Sequence, residues 1–172
     1  MALARLGPDN ASLQVRTYRE GVAAKVGHDL ILDVTRWEAT VDVPGSTVEL
    51  SADPESLEVR EGLRGVKTLT DQDRVEIRRN VDEKVLQRRP IVFRSSAARL
   101  AEGRFVVEGE LTMAGRTRPL TVSLDVGEGA RVSGTIALRQ SDWGIKPYRG
   151  LMGALKVRDE VEIVVEARLP VS

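Results

Sequence analysis

The chain of 172 residues contains no cysteine, which excludes disulfides, thiol nucleophiles and cysteine-ligated metals. It contains one histidine, His28, so a His-rich metal site is also excluded. Aromatic residues are scarce, with two Trp, two Tyr and two Phe, so few bulky groups are available to fill a core. Neither sign of charge is in excess, since 26 Lys and Arg face 26 Asp and Glu. A nucleic-acid interface concentrates basic residues on one face, and no Lys/Arg block here exceeds two residues. No run approaches the ~18 apolar residues of a membrane-spanning helix. Met1 to Asn10 lacks the apolar stretch of ~7–15 residues of a secretory signal, so a cytoplasmic protein is expected.

Period-2 alternation is abundant. Residues 131–139 place Val132, Gly134, Ile136 and Leu138 on one face, and residues 160–168 do the same with Val161, Ile163, Val165 and Ala167. Residues 121–126 add Val122, Leu124 and Val126, and residues 47–50 also alternate. Further strands are expected at 11–18, 28–43, 91–100 and 105–112, about eight in all. Pro44-Gly45, Gly103, Gly115 and Gly127-Glu128-Gly129 mark turns between them. Sheets that are dry on one side and wet on the other give this pattern. Short connections favour an antiparallel meander, and closing it removes the exposed edges.

The segment 28–43 changes face near Val34–Arg36. Leu30, Leu32 and Val34 share one parity, and Trp37, Ala39, Val41 and Val43 share the other. A one-residue bulge would reconcile the halves. Residues 71–87 break the strand rule: they are charge-rich, and Ile77, Val81 and Val85 recur every four residues, as on an amphipathic helix. Thr70 with Asp73 predicts its N-cap, and Pro90 stops the chain from continuing it. The expected architecture is all-β with one helix, an antiparallel up-and-down β-barrel formed by a single domain, 1–172.

Three motifs stand out. Gly109-Glu110-Leu111-Thr112-Met113-Ala114-Gly115-Arg116 is a strand ending in a glycine turn, and Thr117-Arg118-Pro119-Leu120 opens the next strand. Arg139-Gln140-Ser141-Asp142-Trp143-Gly144 follows a later strand, and Pro90-Ile91-Val92-Phe93-Arg94-Ser95 begins another. Together they resemble the YceI-like family over roughly residues 11–169. Trp143 stands where that family's Arg-x-x-Asp-Phe-Gly signature has phenylalanine, and the family's adjacent phenylalanines in the helix are absent. The resemblance implies a lipocalin-like barrel, some of whose relatives hold a polyisoprenoid inside. It implies a binding protein rather than an enzyme, with a polyisoprenoid or other long-chain lipid as partner. It implies no cofactor, no nucleic acid and no integral membrane segment, and it admits a homodimer.

Val122, Leu124, Ile136, Leu138, Ile163 and Val165 are the expected aliphatic lining, with Trp37 and Trp143 near the wall or one end. A linear hydrocarbon needs such a wall, because its burial is directionless. In the mixed segment 145–155, expected to be a loop, Lys146 and Arg149 are candidates for a diphosphate head. Tyr148, Leu151 and Met152 are candidates to cover the mouth. His28 could act as a base or hold a polar head. Without a Gly-x-Ser-x-Gly motif, however, a ring hydrogen-bonded to backbone at a strand end is the favoured reading. Asp142 is expected to cap its own turn, and Glu160, Glu162 and Glu166 to form a solubilising edge. Asp71 and Asp73 lack the Gly and distal Glu of a calcium loop, so no metal site is expected. Two other functions stay open. One is a filled barrel, structural or stress-related, acting through protein contacts. The other is an enzyme of small apolar substrates using His28 with Asp142 or Asp29.

Overall fold

Alternating side chains of opposite polarity force each segment to lay one face on a common interior, and the computed structural model shows how the chain achieves this. It describes residues 3–21, 27–42, 47–63, 68–150 and 155–169. Val43, Pro44, Gly45, Leu151 and Met152, named above, lie outside the described residues.

Strands β1 (Leu3–Leu6), β2 (Ser12–Thr17) and β3 (Arg19–Glu20) come first. They are followed by β4 (Asp29–Val34), β5 (Trp37–Asp42), β6 (Thr47–Ala52) and β7 (Leu57–Leu63). Helix α1 (Asp71–Asn80) separates these from β8 (Ile91–Ala101), β9 (Arg104–Met113), β10 (Arg116–Val126) and β11 (Arg131–Arg139). The short β12 (Arg149–Gly150) and β13 (Leu155–Val157) precede β14 (Glu160–Arg168). Eleven strands form one antiparallel sheet in the order β1-β5-β6-β8-β9-β10-β11-β14-β2-β4-β7, while β12, β13 and β3 form a second. The segment after Ile145 is therefore partly strand, not the open loop expected from its mixed composition.

The eleven strands reduce to eight because three of them are bent. β4 runs on into β5, and β6 into β7, while β1 and β2 are consecutive. β4 pairs with β2 and β7, and β5 pairs with β1 and β6. The chain passing from β4 to β5 thus links the two ends of the hydrogen-bonded order, and the ring closes through the backbone itself. The change of face predicted in 28–43 is present: Leu32 and Val34 are buried before it, and Trp37, Ala39 and Val41 after it. It is made by a break at Thr35–Arg36, not by the expected one-residue bulge. The Thr35 N–H donates to the Ser56 carbonyl at 2.8 Å, and the Asp53 N–H to the Arg36 carbonyl at 3.0 Å, so both bends turn together.

One seam of the ring is open. β10 pairs with β11 only at Asp125↔Ser133 and Val126↔Val132, whereas it pairs with β9 along ten residues, Arg116 to Asp125. Pro119 lacks an N–H, so it suits the stretch of β10 that has left its neighbour. β14, by contrast, is flanked by β11 and β2. This corrects the reading of its glutamates as an edge: Glu162 accepts the Tyr18 hydroxyl, and Glu166 pairs with Arg131.

The helix begins where predicted. The Asp73 N–H donates to Thr70 Oγ1 at 3.0 Å, and the Thr70 N–H donates to Asp73 Oδ2 at 2.9 Å, a reciprocal capping box. After Asn80 the chain widens into a π turn, Val81–Val85, so the regular helix ends earlier than residue 87. No α1 residue is buried. Arg74 Nη1 ties it to the barrel by donating to the Val59 carbonyl at 2.8 Å.

Two outcomes test this architecture. Val132 is 2 % exposed and faces inward, while its neighbour Ser133 faces water. Val132→Asp should cost at least about 3 kcal/mol in urea unfolding, as an uncompensated buried charge does, and Ser133→Asp should change the midpoint little. The second concerns acid. Hydrogen bonds from Thr70, led by its backbone N–H, hold the Asp73 carboxyl below its ordinary range, and the nearby His28 adds to this. Because the folded value lies below the unfolded one, the cap is complete above about pH 4 and is lost as pH falls through the depressed value. Protection of the Thr70 amide against exchange, relative to its intrinsic rate, should fall over that window, and in Asp73→Asn it should show no such step.

Candidate functional site

The inward faces enclose a cavity of about 830 Å³, within the ~300–1,000 Å³ usual for ligand sites. Its wall is aliphatic around the whole ring: Leu50, Val107, Val122, Ile136 and Ile163 come from five different strands. Val122, Ile136, Ile163 and Val165 point inward yet are only half-buried, because they face space instead of opposing side chains. Leu124 and Leu138 line the cavity and are buried. All six aliphatic residues expected in the lining are therefore in it, together with Trp37, which is 8 % exposed.

The two ends differ. Away from the helix, the lining consists of Leu13, Val41, Phe105, Val132, Ala167 and Leu169. At the helix end it becomes polar: Thr17, Arg19 and His28 come from the strand ends, Asp73, Glu76 and Lys84 from the helix side, and Gln140, Lys146 and Tyr148 from the segment after β11. The cavity is thus apolar along its length and polar at one mouth. His28 is half-buried at this mouth, beside Gly62 and Leu69. Asp29, buried next to it, accepts the Arg19 N–H at 2.8 Å and lies 4.0 Å from Arg19 Nε. Tyr18 lies nearby: donation to Glu162, then burial, raises its pKa, and the phenol keeps its proton.

Two candidate residues lie off the lining. Trp143 is 3 % exposed and does not line the cavity. Its Nε1–H donates to the Leu111 carbonyl at 2.8 Å, which ties the turn after β11 to β9 across the open seam. Arg149, a candidate for the head group, is exposed on β12 and does not line the cavity; a mixed composition could not show that a two-residue strand carries it aside. Asp142 is exposed, and the carboxylate that caps its turn is Asp159, whose Oδ1 accepts the Ser141 N–H at 2.7 Å. Residues that the sequence did not single out, Thr17, Arg19, Glu76 and Lys84, line the mouth. The helical spacing of Glu76, Asn80 and Lys84, four residues apart, was the available signal.

The three motifs meet at this end. Ala114 (φ 49°) and Gly115 (φ 80°) make the two-residue turn between β9 and β10, both left-handed as a type I′ turn requires. The turn delivers Arg116, which packs over Gly144 so closely that a Cβ there would lie 2.7 Å from Arg116 Nε. Gly144 itself has φ 72°. The strand opened by Pro90 supplies Phe93, buried against the same core.

Residues 9–169 match the YceI-like domain. The chain belongs to the YceI-like family. Among solved structures it is similar to BcnA of Burkholderia cenocepacia, with a TM-score of 0.63 and 18% identity, covering 91% of this chain and 94% of that one. It is also similar to the YceI protein of Campylobacter jejuni, with a TM-score of 0.50 and 12% identity, covering 77% and 79%. At such identities the likeness shows a shared fold. No curated protein matches the chain. Among the described residues no helix is long and apolar enough to cross a membrane.

In this YceI-like barrel Trp143 serves the wall and not the lumen, and the two roles can be separated. Trp143→Phe removes the indole donor and some volume, and should lower stability by about 1–3 kcal/mol. Thermal unfolding measures that loss, while the affinity of any ligand held in the cavity should stay unchanged.

Proposed function

We propose that the protein binds and carries a long apolar molecule, a polyisoprenoid foremost, inside its barrel, and that it works without catalysing a reaction. The observation that carries this reading is the 830 Å³ cavity with an aliphatic wall on every side. Burying a chain there needs no directional contacts, only the removal of apolar surface from water, worth roughly 25 cal/mol per Å². A barrel filled by its own side chains would leave no such space, so the cavity speaks against the structural alternative. The polar groups at the mouth suit a ligand with one polar end.

Mass spectrometry of gently purified protein, followed by organic extraction, should recover a long-chain lipid. Delipidated protein should then bind a long-chain prenol saturably, reported by the fluorescence of Trp37 in the cavity wall. Val122→Trp or Ile136→Trp should fill the lumen and abolish that response while the protein stays folded. An empty extract with no prenol response would overturn the proposal.

A further inference from the structure

We infer that the cavity takes a single-chain amphiphile with an anionic head, whose charge is met by Lys84 and Lys146; this rests on the carrier reading above. Among the described residues the charged side chains of the lining are Arg19, Asp73, Glu76, Lys84 and Lys146, with His28 and Tyr148 as further ionisable groups, and all lie at the helix end. Most are already engaged. Arg19 donates to the Gly27 carbonyl at 3.0 Å and lies against buried Asp29. Asp73 is held by the Thr70 N–H in the capping box, beside His28. Glu76 accepts from Gln72 at 3.3 Å.

Lys84 and Lys146 are different. Both line the cavity, both have exposed side chains, and among the described residues neither forms an ion pair. One comes from the helix side and the other from the segment after β11, so they stand on two elements that frame the same mouth. Long lysine stems rest along apolar surface while their ammonium groups stay in water. That arrangement places positive charge where a head group emerges from the apolar lumen. The carboxylates of Asp73 and Glu76 already hold hydrogen bonds on the helix, whereas the two ammonium groups are left to meet a head group, so an acid is preferred over the alcohol of the same chain. Carboxylate and phosphate oxygens share this chemistry, and lysine serves both as a compact charge.

The test uses four ligands in two matched pairs, each below its micelle concentration: palmitate with hexadecanol, and geranylgeranyl diphosphate with geranylgeraniol. Binding is read by tryptophan fluorescence. In the native chain the acids should bind more tightly than their alcohols, with an advantage that shrinks as salt rises. The double variant Lys84→Gln with Lys146→Gln should weaken an acid roughly tenfold, the loss of one charge-assisted contact, and leave the alcohols nearly unchanged. Glu76→Gln should strengthen the acids. A preference confined to palmitate or to the diphosphate identifies the head as carboxylate or phosphate. Equal binding of acids and alcohols in both proteins would overturn the inference while leaving the carrier reading intact. Failure of all four ligands would overturn the carrier reading, and this inference with it.

Discussion

The radius of a closed eight-strand ring is set by strand number and stagger before any interior side chain is chosen. The rest of this structure depends on how little the chain offers to fill that space. Valine, leucine and isoleucine on opposite walls are too short to meet across the lumen, and few large residues line it, Trp37 and Phe93 among them. Trp143 is in the wall, and Phe105 is at the apolar end. The core is therefore a shell. Its tightest packing lies where wall meets end, as at Val132 and Trp143, and its loosest lies midway along the lumen, at Val122, Ile136 and Ile163. Stability and a roomy interior are compatible here because the ladders need no central plug.

That ring has a weak place, and the most informative motifs in the sequence are those that mend it. Where β10 departs from β11, hydrogen bonds between strands give way to side-chain contacts. Trp143 reaches the Leu111 carbonyl, and Arg116 covers Gly144. The motif from Gly109 to Arg116, which carries Leu111 and Arg116, and Arg139-Gln140-Ser141-Asp142-Trp143-Gly144 are thus two halves of one repair. They identify the fold strongly because the fold needs them. They say little about the ligand because what they add to the lumen is mostly more apolar wall, Leu111, Met113 and Leu120, with Gln140 at the mouth.

The same division explains what could be read from the sequence. β11 and β14 carry their full length in alternating residues, and the three-residue spacing of Thr70 and Asp73 marks the helix start. Alternation reports which face a residue shows, and the six lining aliphatics follow from it. It does not report where a strand bends. Hence β6 showed only as the four residues 47–50, β7 was not read as a strand, the Thr35–Arg36 break looked like a bulge, and β12 and β13 were invisible in a mixed segment. The mouth was harder still. Lys146 and Tyr148 were legible as residues of a rim loop, but Lys84 reaches the mouth only because the helix is laid along β7, which no local pattern encodes.

The helix also shows how occupancy and stability are joined. A helix of ten residues is marginal on its own, and α1 buries none of its residues. It is held by its cap, by Arg74 and by Leu86, the buried residue that follows the π turn. The stripe Ile77, Val81 and Val85 packs against the core only in part, and all three residues line the cavity. A hydrocarbon in the lumen would complete the burial of that stripe, so the helix is the element with most to gain from a ligand. A ligand bound only by the folded state stabilises it by RT ln(1 + [L]/Kd). In this barrel a large part of that gain would fall on the segment that closes the mouth. The short wall side chains that leave room in the lumen thus also leave the helix stripe only partly covered.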